Sequence, residues 1–116
     1  IHGMAGKKLE LDNTGRTVAE NISRIRKERG LNYTELSTSL SALKRDIPAL
    51  AVRRIEETQR RVDVDDLMAI AAALNTSPAS LLMPRAGAAD EPVQTTAMVQ
   101  PAAAETVWGW ISGDRP

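Results

Sequence analysis

Between residues 14 and 84, apolar residues recur every three to four positions in short blocks. Each block is bounded by a residue that caps or breaks a helix, a pattern that predicts five helices. Val18, Ile22 and Ile25 form the first stripe, on a helix beginning near Thr14 or Thr17 and running to Arg29. Gly30 follows, free to take the positive φ of a C-terminal stop. Arg24, Arg26, Lys27 and Arg29 crowd the helix end, where the dipole favours cations. Leu31 is expected in the core. Asn32-Tyr33-Thr34-Glu35 reads as a capping box worth about 1 kcal/mol. The second helix then places Leu36, Leu40 and Leu43 on one face. Asp46 or Ile47 must leave helical angles, because the residue before a proline is pushed toward extended ones. The third helix is expected over Pro48–Gln59, with Pro48 at its first position. Ala51, Val52 and Ile55 fall on one side of it, and Leu50, Arg53, Arg54 and Glu57 on the other. Asp63 as N-cap and Asp66 three residues on open a fourth helix, Val64–Leu74. It is apolar over most of its circumference and is expected to be the central buried one. Asn75 ends it, Ser77-Pro78 restarts the chain, and Leu81, Leu82 and Met83 form a fifth helix stopped by Pro84.

Beyond Arg85 the pattern changes. Arg85–Pro92 reads as a linker, and Val93–Val99 as a β-compatible run between two prolines. Pro101–Gly113 can form one more helix, with Ala104, Val107, Trp108 and Ile111 on a face. Trp108 and Trp110 are the chain's two tryptophans. Exposed indoles are costly, so they are expected to pack on the parent domain or across a dimer dyad. The organisation expected is a tag remnant (Ile1-His2-Gly3) and flexible arm over 1–13, a helical domain over 14–84, and a linker and C-terminal extension over 85–116. Val93, Val107, Trp108, Trp110 and Ile111 are the candidate dimer contacts.

The chain has 116 residues, enough for one domain with a real core. It has no Cys, and its single His is His2, so cysteine-ligated metal, disulfides and a His-based triad are excluded. No apolar run approaches the length of a membrane span, and no secretory segment is seen. No nucleophile–base pair or phosphate-cradling glycine loop suggests catalysis, so no enzyme activity, cofactor or metal is expected. The carboxylates Asp63, Asp65 and Asp66 are explained by a helix N-terminus before a metal site. Net charge is zero but polarised. Residues 14–61 carry eleven Lys and Arg against six acids, and residues 62–116 carry two against seven. That asymmetry suggests one face meant for a polyanion, with the arginine pair of the third helix at its centre. On its own, the pair reads equally well as solvated charge on an ordinary bundle helix.

The ordered set Ile22-Ser-Arg-Ile-Arg-Lys-Glu-Arg-Gly-Leu31, Glu35-Leu-Ser37, Val52-Arg-Arg-Ile-Glu56, Arg60-Arg61 and Leu67…Ile70-Ala71…Leu74…Ser77…Leu81-Leu82 resembles the lambda-repressor/Cro-type (XRE-like) helix-turn-helix family. Taken whole, the chain resembles a subgroup common among actinobacterial and phage-like regulators. The resemblance implies an all-α fold: a five-helix lambda-repressor-like DNA-binding domain with a C-terminal extension, in which a short strand plus a helix can form. It implies that helix 48–59 enters the major groove, with Ala49, Leu50, Arg53 and Arg54 toward bases or the nearest phosphates. Asn32, Tyr33, Arg60 and Arg61 match phosphate-contacting positions. Arg26 and Glu56 match a structural ion pair.

Three departures from the family pattern stand out. Ser41–Asp46 looks like an insertion that either lengthens the second helix or bulges the turn, moving Lys44 and Arg45 toward DNA phosphates. Thr58 stands where a glycine usually closes the third helix. Ala49 and Leu50 replace polar readers; they touch thymine methyls, or Leu50 packs into the enlarged turn. The function expected is a sequence-specific transcriptional regulator, cytoplasmic and homodimeric, with double-stranded DNA as partner. The alternative is a protein-interaction module on the same scaffold, such as an antitoxin or a regulator's partner.

Overall fold

The structure is a computed structural model that describes residues 10–114; the tag remnant and most of the expected arm lie outside those residues. The 3.6-residue stripes produce five helices in the first part of the chain: α1 (Asn13–Glu28), α2 (Tyr33–Ala42), α3 (Ala49–Glu56), α4 (Val64–Ala73) and α5 (Pro78–Leu82). They are followed by β1 (Pro92–Val93), β2 (Ala102–Ala103) and α6 (Ala104–Ile111). The chain is thus an all-α domain with an extension that adds a two-stranded ribbon and a helix.

The stripes bury one core. Val18, Ile22 and Ile25 of α1 meet Leu36 and Leu40 of α2, Val52 and Ile55 of α3, Ile70, Ala71 and Leu74 of α4, and Leu81 of α5. α1 packs on both α3 and α5, while α2 packs on α3 and α4. The expectation that α4 is the central buried helix is corrected: it packs on α2 and α5 and leaves one side open to solvent. Val64 is 77% and Met68 60% exposed on α4. Much of the apparent apolarity of α4 comes from alanines, which carry little area that must be buried.

Four helices end the same way. After α1, α2, α3 and α4 the chain makes a Schellman stop, with the two following N–H groups bonded back to carbonyls in the last turn. The residue at positive φ is Gly30 (φ 70°), Lys44 (65°), Thr58 (60°) and Asn75 (54°), respectively. Lys44 N donates to Ser41 O at 2.9 Å and Arg45 N to Leu40 O at 3.0 Å; Thr58 N donates to Ile55 O at 3.1 Å and Gln59 N to Arg54 O at 2.8 Å. The apparent insertion thus closes α2 at Ala42 and does not lengthen it. Leu43, expected on the buried face, becomes the C-cap and is 47% exposed. Pro48 is likewise the N-cap of α3 and not its first residue.

The extension folds back on the bundle. Thr14 N donates to Thr96 Oγ1 at 3.0 Å and Thr96 N to Thr14 Oγ1 at 2.9 Å, fastening it to the first turn of α1. Val93, Ala104 and Val107 form a second small core with Met83, Ala86, Met98 and Ile111 against it. The expected strand over Val93–Val99 shrinks to Pro92–Val93, paired antiparallel with Ala102–Ala103. A turn with Ala97 at φ 75° and a Met98 N to Thr95 O bond at 3.2 Å bends the rest of that run away. The expected linker is held in place too. Ala89 O and Glu91 O accept from Glu105 N and Ala104 N, both at 2.9 Å, and so cap α6.

Positive φ strains a β-branched residue, and a left-handed L-residue costs about 1–2 kcal/mol. Thr58→Gly is expected to raise unfolding stability in urea by about 0.5–1 kcal/mol, the relief of strain being partly offset by glycine's larger chain entropy. An unchanged or lowered stability would show that the Thr58 side chain compensates for its backbone.

Candidate nucleic-acid interface

α3 is short, and two anchors fix which way it faces. Its back is apolar: Val52 and Ile55 are each 1% exposed. Its end is held by Glu56. Arg26 Nε and Nη2 donate to the two Glu56 carboxylate oxygens at 2.6 and 2.9 Å. Arg26 Nη1 donates to Leu31 O at 2.7 Å, and the guanidinium lies 4.4 Å from the centre of the Tyr33 ring. The side chains of the pair are 8% and 4% exposed. The hydrogen bonds it donates to Glu56 push the Arg26 guanidinium above its ordinary pKa, against the opposing effect of burial. Its charge therefore persists throughout the physiological range.

With the back and end fixed, the outer face of α3 is set. Leu50 is 55% exposed, so it does not pack into the enlarged turn. Arg53 and Arg54 are exposed, and Ala49 is half-buried at the helix start. Arg53 Nε donates to Glu57 at 3.0 Å, a solvent-facing i,i+4 pair, and this bond raises its pKa further. Such a pair is weak and exchanges readily for another anion. Arg54 forms no ion pair among the described residues.

The remaining sequence-derived positions divide sharply. Arg45, expected near DNA phosphates, is turned onto the fold's own carboxylates. Its Nε donates to the buried Asp66 at 2.9 Å and its Nη2 to Asp63 at 3.2 Å. The hydrogen bond to Asp66 raises its pKa. The physical reason is the capping box of α4. It fixes Asp63 and Asp66 with Asp66 N donating to Asp63 Oδ1 at 2.7 Å, and a side chain buried as deeply as Asp66 requires a counter-charge. Arg60 leans to the same carboxylate at 4.0 Å. Lys44 and Arg61 are exposed, and Arg61 Nη2 donates to Glu10 O at 3.1 Å. The side chain of Asn32 is engaged in its own capping box, accepting from Glu35 N at 2.7 Å. Tyr33 is half-buried against the core beneath Arg26.

At the extension, Val93 and Val107, two of the candidate dimer contacts, are 7% and 3% exposed and buried by their own chain. Ile111 packs against the same cluster. Trp108 and Trp110 are left 39% and 55% exposed.

One buried polar residue was missed in the sequence. Asn21 Nδ2 lies 3.2, 2.9 and 2.8 Å from the carbonyls of Ser80, Leu81 and Met83, satisfying the end of α5. Its signal was a polar residue three positions after Val18, on the apolar stripe of α1. Arg29 does similar work at the end of α4, donating to Leu74 O at 2.9 Å and Asn75 O at 3.3 Å.

Removing one member of a buried ion pair leaves the other charge stranded, at a cost of about 3–5 kcal/mol. Glu56→Ala is therefore expected to lower stability by about that amount in chemical denaturation, while Arg53→Ala leaves the midpoint where it was. Equal midpoints for Glu56→Ala and the parent would show that α3 is held by its apolar face alone.

No family model matches the chain, and no curated protein sequence does. Among solved structures, the fold matches that of a hypothetical transcription factor from Neisseria with a TM-score of 0.55 and 21% identity. The match covers 66% of this chain and 91% of that one. The fold of about two thirds of the chain is therefore one already seen in a crystal structure.

Proposed function

We propose that the protein is a DNA-binding transcriptional regulator of the lambda-repressor/Cro type that sets α3 in the major groove. The observation that carries this reading is the outer face of α3. It presents Leu50, Arg53 and Arg54 to solvent from a helix clamped on its other side by a buried core and a buried ion pair. Guanidinium forks match guanine edges and phosphate oxygens, and an exposed Leu matches a thymine methyl. The fold shared with a protein named as a hypothetical transcription factor supports the same reading. In it, Arg53 and Arg54 read bases or adjacent phosphates, Lys44 and Arg61 grip the backbone, and Arg45 acts as scaffold.

The same reading has the protein bind as a homodimer. The exposed Trp110 and Val99 support a contact through the extension. Two copies of α3 would then stand about 34 Å apart, or a multiple of that, on a near-palindromic site.

Duplex affinity is expected to fall steeply on a plot of log affinity against log salt, by about 0.9 per phosphate engaged. A flat plot would overturn the DNA reading. Arg54→Ala should cost about 1–3 kcal/mol on the preferred site and relax one base position, whereas Arg61→Ala should weaken all duplexes alike. Equal losses on every duplex for both variants would confine Arg54 to phosphate. For the dimer, light scattering of Trp110→Ser is expected to give the monomer mass where the parent gives twice that. A parent of monomer mass, or a variant still dimeric, would remove the extension from assembly.

A further inference from the structure

A cleft of about 450 Å³ opens where the end of α1 and the α4–α5 turn meet the start of the extension. Arg24, Arg29 and Arg85 line it, together with Ser80 and the half-exposed ring of Trp108; Glu28 is the one carboxylate in the lining. Two of the guanidiniums are anchored from behind. Arg29 is held by the carbonyls of Leu74 and Asn75, and Arg24 by Asn21 Oδ1 at 3.0 Å. Each guanidinium has five N–H donors, so those contacts leave donors unused. Arg24 also faces Glu28 at 3.4 Å, a loose and exposed pair. Arg85 forms no ion pair among the described residues. Three cations facing one carboxylate repel one another, and an anion in the cleft would relieve that repulsion. An indole left partly bare beside them offers a flat apolar face.

We propose that this cleft binds a small planar acid, an aromatic ring bearing a carboxylate. The ring lies on the Trp108 indole, and the acid group is held by Arg85 and the free donors of Arg24 and Arg29. The volume suits one or two rings. Donors fixed in advance lower the ordering cost of binding. Because the walls come from both the helical bundle and the extension, occupancy ties the two together.

The two tryptophans supply two indole N–H signals in a nitrogen–proton NMR spectrum, assigned by Trp108→Phe. Benzoate is the probe, with benzamide and acetate as the ring without charge and the charge without ring. Benzoate is expected to move the Trp108 signal saturably at about 1 mM or below, in the range open to a ligand of that size. Benzamide and acetate should each bind about tenfold more weakly, and Arg85→Gln should weaken benzoate by about fivefold with the rest of the spectrum unchanged. Equal shifts at both tryptophans, benzamide or acetate as strong as benzoate, or an Arg85→Gln titration identical to the parent would each overturn the proposal. The readout contains no DNA, so its failure leaves the reading of α3 untouched.

Discussion

The fold turns on one buried ion pair. Arg26 and Glu56 lie thirty residues apart, and their two-pronged contact joins α1 to the helix that presents the arginines. A helix of eight residues is marginal in water on its own, so tertiary contacts must both hold it helical and set its rotation. Apolar packing of Val52 and Ile55 fixes which side faces inward, but apolar contacts are weakly directional. The planar guanidinium–carboxylate fork adds direction, and Arg26 extends it to the backbone of Leu31 and the ring of Tyr33. The start of α2, the end of α1 and the end of α3 are thereby tied at a single residue.

Carboxylates then decide which arginines remain available. Glu56 engages Arg26, while Asp63 and Asp66 draw in Arg45 and, more loosely, Arg60. Carbonyls at a helix end take up Arg29. On α3 the outward Arg54 has no such partner among the described residues, and Arg53 has only the exposed Glu57. A net charge of zero is thus compatible with a basic face, because the acids sit where they neutralise the scaffold's own cations.

Much of this was legible in the chain, and the limits have physical reasons. The apolar stripes gave the five bundle helices within a few residues, because burial of one face leaves a period that survives any detail of packing. The capping boxes at Asn32 and Asp63 were readable for the same local reason. The C-terminal stops were readable only where the residue tolerates positive φ. Gly30 and Asn75 announced themselves, while Lys44 did not, since tertiary packing of Ile47 imposes a turn its own residue type disfavours. The engagement of Arg45 by Asp66 was not legible because that partner lies twenty-one residues away across the fold. The burial of Val93 and Val107 was not legible because the second small core exists only once the ribbon and α6 close on Met83 and Met98.

The central claim is a division of labour among arginines, and their side-chain Nε–H signals measure it directly. Adding a mixed-sequence duplex at low salt should shift and broaden the signals of Arg53 and Arg54, while those of Arg26 and Arg45 stay in place. Movement of Arg26 or Arg45 with Arg53 and Arg54 unmoved would contradict the account, because the groups it assigns to the scaffold would then be the ones meeting the nucleic acid.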